Sequence, residues 1–503
     1  MEENLDTIKI TYAKNLNKLN FSSLISVPIN SNVNVKTILN VDSYIFDEKV
    51  ECGNGKAIIT GKLGVKVLYI DTDNISNIVN DSQSFSETFV DESITSDCFI
   101  NISNASVVGN VLSSDKTLKI NCDVNISPTL YLNLALNTSN SSFENMIVKK
   151  NEISTNTIAC NVDTSFEYAT NIETKENVTK ILCYDAYFTP SSLTSYDEYA
   201  VVEGKLYSKL LFESASDDES VIKEICDTFN LKSEINIPNI TKDCLTDFNF
   251  SIDKSKENIS TEIEDGNNII TISHNIKVNG VCIKSISIDL IDDMYSVDNE
   301  IEISTSKRDY TKNMQTEFVT DNISGEITLD DNETAIDDII SNININAEIT
   351  NHYLKDNNLY LEGIISSHII YIDENKEIKH KPIDLPFVIN TKIKIDQLDC
   401  IHSCINILDN KIKVKRGTVI EFDYSVSIMI NIYQKDTKDI IDNMVIGKPL
   451  DYSTVDYQIF IAKPNESVWD LCKRIKISPD DISKYNKNLP LIMEGGEKIV
   501  IKR

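Results

Sequence analysis

Three segments of this chain superimpose without a gap: "AIITGKLGVKVLYID" from residue 57, "AVVEGKLYSKLLFES" from 200 and "LYLEGIISSHIIYID" from 359. Each carries a glycine (Gly61, Gly204, Gly363) followed eight residues on by an aromatic ring (Tyr69, Phe212, Tyr371). Nineteen residues before the glycines stand Asp42, Asp185 and Asn344. From Gly61 to Gly204 is 143 residues and from Gly204 to Gly363 is 159, which is the length of a domain rather than of a solenoid repeat. A chain of 503 residues also exceeds the roughly 250–300 residues that one core supports. Three copies of one domain are therefore expected.

The copies read as β-structure. "TLKINCDVNIS" (117–127), "IITISHNIKV" (269–278) and "TVIEFDYSVSIMI" (418–430) alternate apolar and polar residues with a period of two, as half-buried strands do. The glycine segments are rich in Ile, Val, Leu and Tyr, which suit a pleated surface. A glycine recurring inside a strand points to a bulge or a close backbone approach rather than to a ligand. The fold class expected is mainly β, with tandem sandwich- or barrel-like domains at 31–150, 165–305 and 325–445. Helical pattern is confined to short connectors, "DDESVIKEICDTFN" (217–230) and "ETAIDDIISN" (333–342), and the first 30 residues are polar, with no element assigned.

Charge narrows the partners. Against 48 Lys and Arg stand 78 Asp and Glu, a formal net charge of -30, which opposes binding of nucleic acid or an anionic membrane by the chain as a whole. The N-terminal "MEENLDTIKI" lacks the cationic segment and apolar run of a secretion signal, and no stretch approaches 18 consecutive apolar residues. The expectation is a protein that stays in the cytoplasm without inserting into a membrane. Eleven cysteines are scattered singly, as reduced core thiols would be, and Asn-x-Ser/Thr triplets such as "NIS" at 101–103 are compositional.

Catalytic chemistry is hard to find. The five histidines (His274, His352, His368, His380, His402) show no i, i+4 pair. The nearest zinc-like cluster is Cys400, His402 and Cys404 in "CIHSC", which lacks a second ligand pair and reads as strand. No G-x-S-x-G elbow or phosphate loop is present, and acidic pairs such as Asp292-Asp293 and Asp330-Asp331 read as turn decoration. No catalytic, cofactor or metal residue is assigned, so the expectation is a non-enzymatic scaffold.

The C-terminal end differs in kind. After a polar joint (446–456), "YQIFI" (457–461) reads as a strand, and Val468, Leu471, Cys472 and Ile475 share one helical face capped by Asn465 or Ser467. Ser478-Pro479-Asp480-Asp481 starts a second helix, and "EKIVIKR" closes the module after Gly495-Gly496. This β-α-α-β order resembles the LysM domain at Tyr457, Lys463-Pro464, Ser467, Trp469, Leu471, Ser478, Asp481, Asn486, the glycine before the last strand and Ile499-Val500-Ile501. The resemblance implies binding in a groove between the loop Lys463, Pro464, Asn465, Glu466, Ser467 and the loop running through Leu489, Leu491, Ile492 and Met493. "PNES" stands where that family usually has "PGDT", and Asn465 tolerates the left-handed backbone that the glycine would supply. "LPLIM" is an apolar lip, more natural against a protein than against a sugar. With nine Lys and Arg against six acids, residues 457–503 carry +3 while the rest carries -33, which steers an acidic partner to this end. Trp469, the single tryptophan, is counted with these groove residues as a partner contact, although packing on the small domain's core edge is the reading favoured over direct contact.

β-rich repeats followed by one LysM-like module resemble the SipL-like, SPOCS-domain family of spore-coat morphogenetic proteins of clostridia. That resemblance implies action in the mother-cell cytoplasm at the forespore surface and in the spore coat. It also implies docking of the LysM domain to the coat's basement-layer ATPase SpoIVA, with other coat proteins as further partners. The alternative is a protein binding peptidoglycan or N-acetylglucosamine polymers that targets the array to cortex or wall.

Overall fold

A computed structural model describes residues 7–29, 34–114, 117–137, 146–216, 219–264, 267–330, 332–398, 400–451 and 457–502. It is mainly β, and the strand order recurs. The first unit comprises β1 (Thr7–Asn15), β2 (Leu19–Pro28), β3 (Val35–Gly53), β4 (Lys56–Asp71), β5 (Ser76–Val90), β6 (Phe99–Ser114) and β7 (Thr117–Asn137). The second comprises β8 (Met146–Thr174), β9 (Val178–Ser195), β10 (Tyr199–Ser216), β11 (Glu219–Asn236), β12 (Cys244–Ile252), β13 (Asn258–Glu264) and β14 (Asn267–Ser296). The third comprises β15 (Asn299–Thr328), β16 (Ile336–Lys355), β17 (Asn358–Asp373), β18 (Ile378–Lys394), β19 (Cys400–Lys415) and β20 (Val419–Pro449).

In every unit three consecutive strands form an antiparallel meander: β3-β4-β5, β9-β10-β11 and β16-β17-β18. The last strand is central in a second sheet, where it pairs with the unit's first strand on one edge and its penultimate strand on the other. In the first unit the opening strand is split into β1 and β2, and in the second the penultimate strand is split into β12 and β13. The two sheets of a unit share a core. Val65, Val67 and Phe85 meet Ile120, Val124 and Ile126; Val202 and Leu206 meet Ile276 and Val278; Leu361 and Phe387 meet Phe422 and Val426. Along β20, Ile420, Phe422, Tyr424, Val426, Ile428 and Ile430 alternate into that core, the period-two pattern expressed as packing. None of these sheets closes, so the units are two open sheets rather than barrels.

The recurring glycines mark recurring bulges. Opposite Gly61, Gly204 and Gly363 the neighbouring strand carries an extra residue, with register shifts between Phe46 and Lys49, at Glu203/Gly204 and between Ile349 and Asn351. A Cβ on Gly61 would lie 2.8 Å from the Phe85 ring, and one on Gly204 or Gly363 would lie 2.3 Å from the carbonyl oxygen of Thr189 or Glu348. At Gly204 and Gly363 the partner backbone, and at Gly61 the Phe85 ring, therefore leaves no room for a side chain.

Several expectations change. The first 30 residues hold β1 and β2, in the same sheet as β7, with Ile10, Ala13, Ile25 and Val27 buried. The gaps left between the copies, and the strand-like ends around them, are the long strands β8 and β15. Neither connector is a helix: residues 219–230 lie in β11, and 336–342 lie in β16. Every residue of β11 pairs with β10, so ladder bonding overrides the local pattern of Val221, Ile222 and Ile225. β16 carries four register shifts, which interrupt the alternation that would have announced a strand. The start of the joint, 446–449, belongs to β20, while its end, 452–456, and residues 217–218 lie outside the described residues.

The three units meet around a common centre. Leu39 and Leu68, Leu182 and Leu211, and Ile343 and Ile370, one pair per meander, form a single cluster. Nearby, Lys254 Nζ from a short turn (Lys254–Lys256) lies 2.9 Å from Asp42 Oδ1 and 3.5 Å from Asp185 Oδ1. Burial works against its charge, but the two carboxylates more than offset this and hold its pKa above the ordinary lysine value. Asn344, the third residue of the sequence alignment, donates from Nδ2 to Asn40 Oδ1 (2.7 Å) and to the Val41 carbonyl (3.1 Å). A second polar joint centres on Asp247 of β12, whose side chain is fully buried. It accepts from Tyr131 (2.6 Å) in the first unit and from His402 Nδ1 (2.5 Å), Asn431 (2.6 Å) and Tyr433 in the third.

Candidate functional site

The C-terminal module is built by β21 (Tyr457–Ile461), α1 (Val468–Ile475), α2 (Pro479–Tyr485) and β22 (Lys498–Lys502), with β21 antiparallel to β22. Ser467, not Asn465, caps α1: its Oγ accepts the Asp470 N–H at 3.1 Å while the Asp470 carboxylate returns to the Ser467 N–H. Ser478 caps α2 with Pro479 at the first helical position. Asn486 ties α2 to β22, donating to the carbonyls of Ile482 (2.9 Å) and Val500 (2.7 Å) and accepting from the Val500 N–H (2.8 Å). Leu471, Cys472, Ile475, Ile482, Ile499 and Ile501 fill the core. Asn465 adopts φ 60°, the left-handed conformation that its position in "PNES" requires.

The two loops assigned to a groove are fastened to one another. Asn465 N–H donates to the Met493 carbonyl (2.9 Å), Met493 N–H to the Glu466 carbonyl (2.8 Å) and Val468 N–H to the Leu491 carbonyl (3.3 Å). A Cβ on Gly495, at φ 103°, would meet Pro464 at 2.7 Å. The side chains then divide. Met493 is buried in the core, Leu489 packs half-buried against it, and Glu466 is buried in a bidentate pair with Arg474 (2.6 and 2.8 Å) that holds its carboxyl below the usual range. These three therefore support the loops from within. Lys463, Pro464 and Asn465 are exposed, Ser467 is occupied as a cap, and the lip that faces outward is Leu491, 87% exposed, with Ile492, 61% exposed. On β21, Tyr457, Ile459 and Ile461 share an exposed face, and the Tyr457 ring stands edge-on to Tyr485.

Trp469 points elsewhere, onto the second unit. Its ring lies edge-to-face with Tyr295 at 5.2 Å, and its indole N–H donates to Asp293 Oδ2 at 2.7 Å. Lys473 Nζ contacts both oxygens of Asp293 (2.6 and 2.8 Å), and the Tyr295 hydroxyl donates to the Ile477 carbonyl at 2.6 Å. Burial alone would raise the Asp293 pKa, but Lys473 and Trp469 bring it below the usual carboxylate range. Asp292-Asp293 thus does not decorate a turn. It lies at a bulge of β14 that turns Asp293 toward the module. Tyr295 and Asp293 had no signal in the sequence, since one aromatic and one of many acids at a strand end look ordinary.

Among the described residues no group of three or more His, Cys, Asp or Glu is placed to hold a metal ion. Within "CIHSC", Cys400 donates to Asn15 Oδ1 (3.2 Å), His402 pairs with Asp247, and Cys404 accepts from Asn406 (3.7 Å). No helix among the described residues is long and apolar enough to cross a membrane.

Residues 34–128 match the family described as SipL, SPOCS domain. The match supports a SipL-like, sporulation-related protein. It spans the first meander, β6 and the start of β7, and so includes Asp42, Gly61 and Tyr69. No curated protein and no solved structure matches the chain.

Proposed function

We propose that this chain is a non-enzymatic scaffold of spore-coat assembly, acting in the mother-cell cytoplasm at the forespore surface. Its three two-sheet units are read as copies of one SPOCS-like domain. Its C-terminal module is read as a LysM-like domain that docks a protein, the coat basement-layer ATPase SpoIVA. The SPOCS-domain match supports the sporulation setting. The docking reading rests on one observation: Leu491 and Ile492 stand exposed side by side on loops that backbone hydrogen bonds close together. An apolar lip of this kind gains by being covered by another protein, whereas a sugar needs polar partners in a cleft. Trp469, turned onto Asp293 and Tyr295, is withdrawn from either role.

The test compares two baits with the purified full chain. Retention on immobilised SpoIVA, with no saturable sedimentation on peptidoglycan, is the outcome this reading requires. Saturable sedimentation with peptidoglycan and no retention on SpoIVA would replace it with the glycan-binding alternative.

A further inference from the structure

Cys160 of β8 and Cys282 of β14 stand directly opposite one another in the antiparallel ladder that joins the first and last strands of the second unit. Both side chains turn to the same face, where Cys282 sits in the core with Phe248, Ile276 and Val278 and Cys160 packs half-buried against them. Opposed residues in an antiparallel pair have Cα atoms about 4.5–5.5 Å apart, inside the roughly 4.4–6.8 Å that a disulfide spans. The ladder is also interrupted beside them: Ile283 pairs with Ile158, which leaves Ala159 as the extra residue of a bulge. Such a break gives the two Cβ atoms freedom to reach the torsion of about 90° that a disulfide requires. Cys244, the third thiol of this core, is two residues out of register, since Thr246 is what faces Cys282 on β12. A diagonal of that kind sets Cα atoms about 7–8 Å apart, too far to bridge without moving the backbone.

The two thiols are not equivalent. Cys160 is partly exposed, and the hydrogen bond it receives from Cys282 lowers its pKa, whereas that same contact and burial raise the pKa of Cys282. An accessible thiolate beside a protonated thiol is the arrangement of an attacking and a resolving cysteine. We propose that Cys160 and Cys282 are an oxidation site at which a peroxide-class oxidant forms an intrachain disulfide that clamps β8 to β14. The Cys160 thiolate attacks one oxygen of hydrogen peroxide, breaks the O–O bond and becomes a sulfenic acid as hydroxide leaves. The Cys282 sulfur then attacks the Cys160 sulfur, the S–S bond forms, and the sulfenic oxygen leaves as water with the Cys282 proton. The proton that Cys160 gave up neutralises the hydroxide, so two thiols and one peroxide yield one disulfide and two waters, a two-electron oxidation. The cysteines lie 122 residues apart in the chain, so the link closes a long loop and restricts the unfolded form of the second unit. This site is separate from the C-terminal lip and stands or falls independently of the docking reading.

The experiment exposes the purified full chain to graded hydrogen peroxide, blocks the remaining thiols by alkylation and maps its peptides without reduction. Cys226, an exposed thiol on β11, reports the dose. By the dose at which Cys226 is fully oxidised, a peptide linking Cys160 to Cys282 is expected, and dithiothreitol should abolish it. Thermolysin cleavage within 146–296 should be roughly tenfold slower in the linked chain than in the reduced one. In Cys282→Ser, Cys160 should instead accumulate as a sulfenic acid that dimedone traps; should that variant not fold, the wild-type peptide map decides. Both cysteines recovered as alkylated thiols at that dose, linkage of either one to a different cysteine, or equal cleavage of linked and reduced chains would overturn the proposal.

Discussion

Replacing Asp247 by alanine tests how the units are joined. Its fully buried carboxylate accepts from four side chains that belong to two other units: Tyr131, His402, Asn431 and Tyr433. The alanine leaves these donors facing an apolar methyl. Tyr131 and Tyr433 lie 3.1 Å apart and can bond one another, so about three groups lose a partner. At roughly 1–3 kcal/mol for each buried unsatisfied group, and allowing for non-additivity, the loss is about 3–6 kcal/mol. That is a large fraction of the ~5–15 kcal/mol that stabilises a typical protein. Because a chain of several units need not unfold in one step, the measurement is the urea midpoint of the earliest transition, alongside limited proteolysis. Fragments near 7–137 and 299–449 should accumulate in the variant at urea concentrations that leave the wild type intact. A midpoint shift worth under about 0.5 kcal/mol, as at an ordinary surface position, would refute the idea that Asp247 holds the units together.

Gly280→Ala should act at the same joint by another route, since Gly280 adopts φ 151° and its added Cβ would lie 1.9 Å from the Asp247 carbonyl oxygen; a thermal midpoint equal to wild type would count against it. His274 is buried among Thr170, Tyr184 and Ser208 with its pKa lowered to about 4 by burial, so its neutral form is the folded one. Stability should therefore be present above about pH 6.5 and fall as pH drops toward 4, by roughly 2 kcal/mol between pH 7 and 5, and His274→Gln should flatten that part of the profile. Asp293→Ala removes the partner of Trp469 and Lys473 at a half-exposed contact, worth on the order of 1 kcal/mol after screening. Fluorescence from the single tryptophan should move to the red and chymotryptic cleavage between Pro449 and Tyr457, after Leu450 or Tyr452, should rise about fivefold, whereas unchanged emission would argue that the module is not held there.

Much of this architecture was legible in the repeat. Gly61, Gly204 and Gly363 announced a shared backbone feature, and each proves to lie opposite a bulge with no room for a Cβ, which backbone blocks at Gly204 and Gly363 and the Phe85 ring blocks at Gly61. Asp42, Asp185 and Asn344 were aligned by spacing alone, and they converge where the meanders meet. What spacing could not supply was their partner, because Lys254 comes from a turn with no counterpart in the other units. Asp247 was equally hidden: an acid in an alternating strand reads as an outward-facing residue, and only tertiary packing turns it inward. The long strands β8 and β15 were missed because much of their length is exposed and polar on both faces, which weakens the period-two signal. At the C-terminal module, helices, caps and lip could be read from the residues, while the contact with Asp293 and Tyr295 could not. It depends on a second unit about 180 residues earlier, at Asp293 relative to Lys473.

The central claim is that the lip at Leu491 and Ile492 docks SpoIVA. Binding of purified SpoIVA to the immobilised full chain should be saturable and should weaken at least tenfold in Leu491→Glu and in Ile492→Glu, with far-ultraviolet circular dichroism and thermal midpoint unchanged. Equal affinity for the wild type and both folded variants would contradict it.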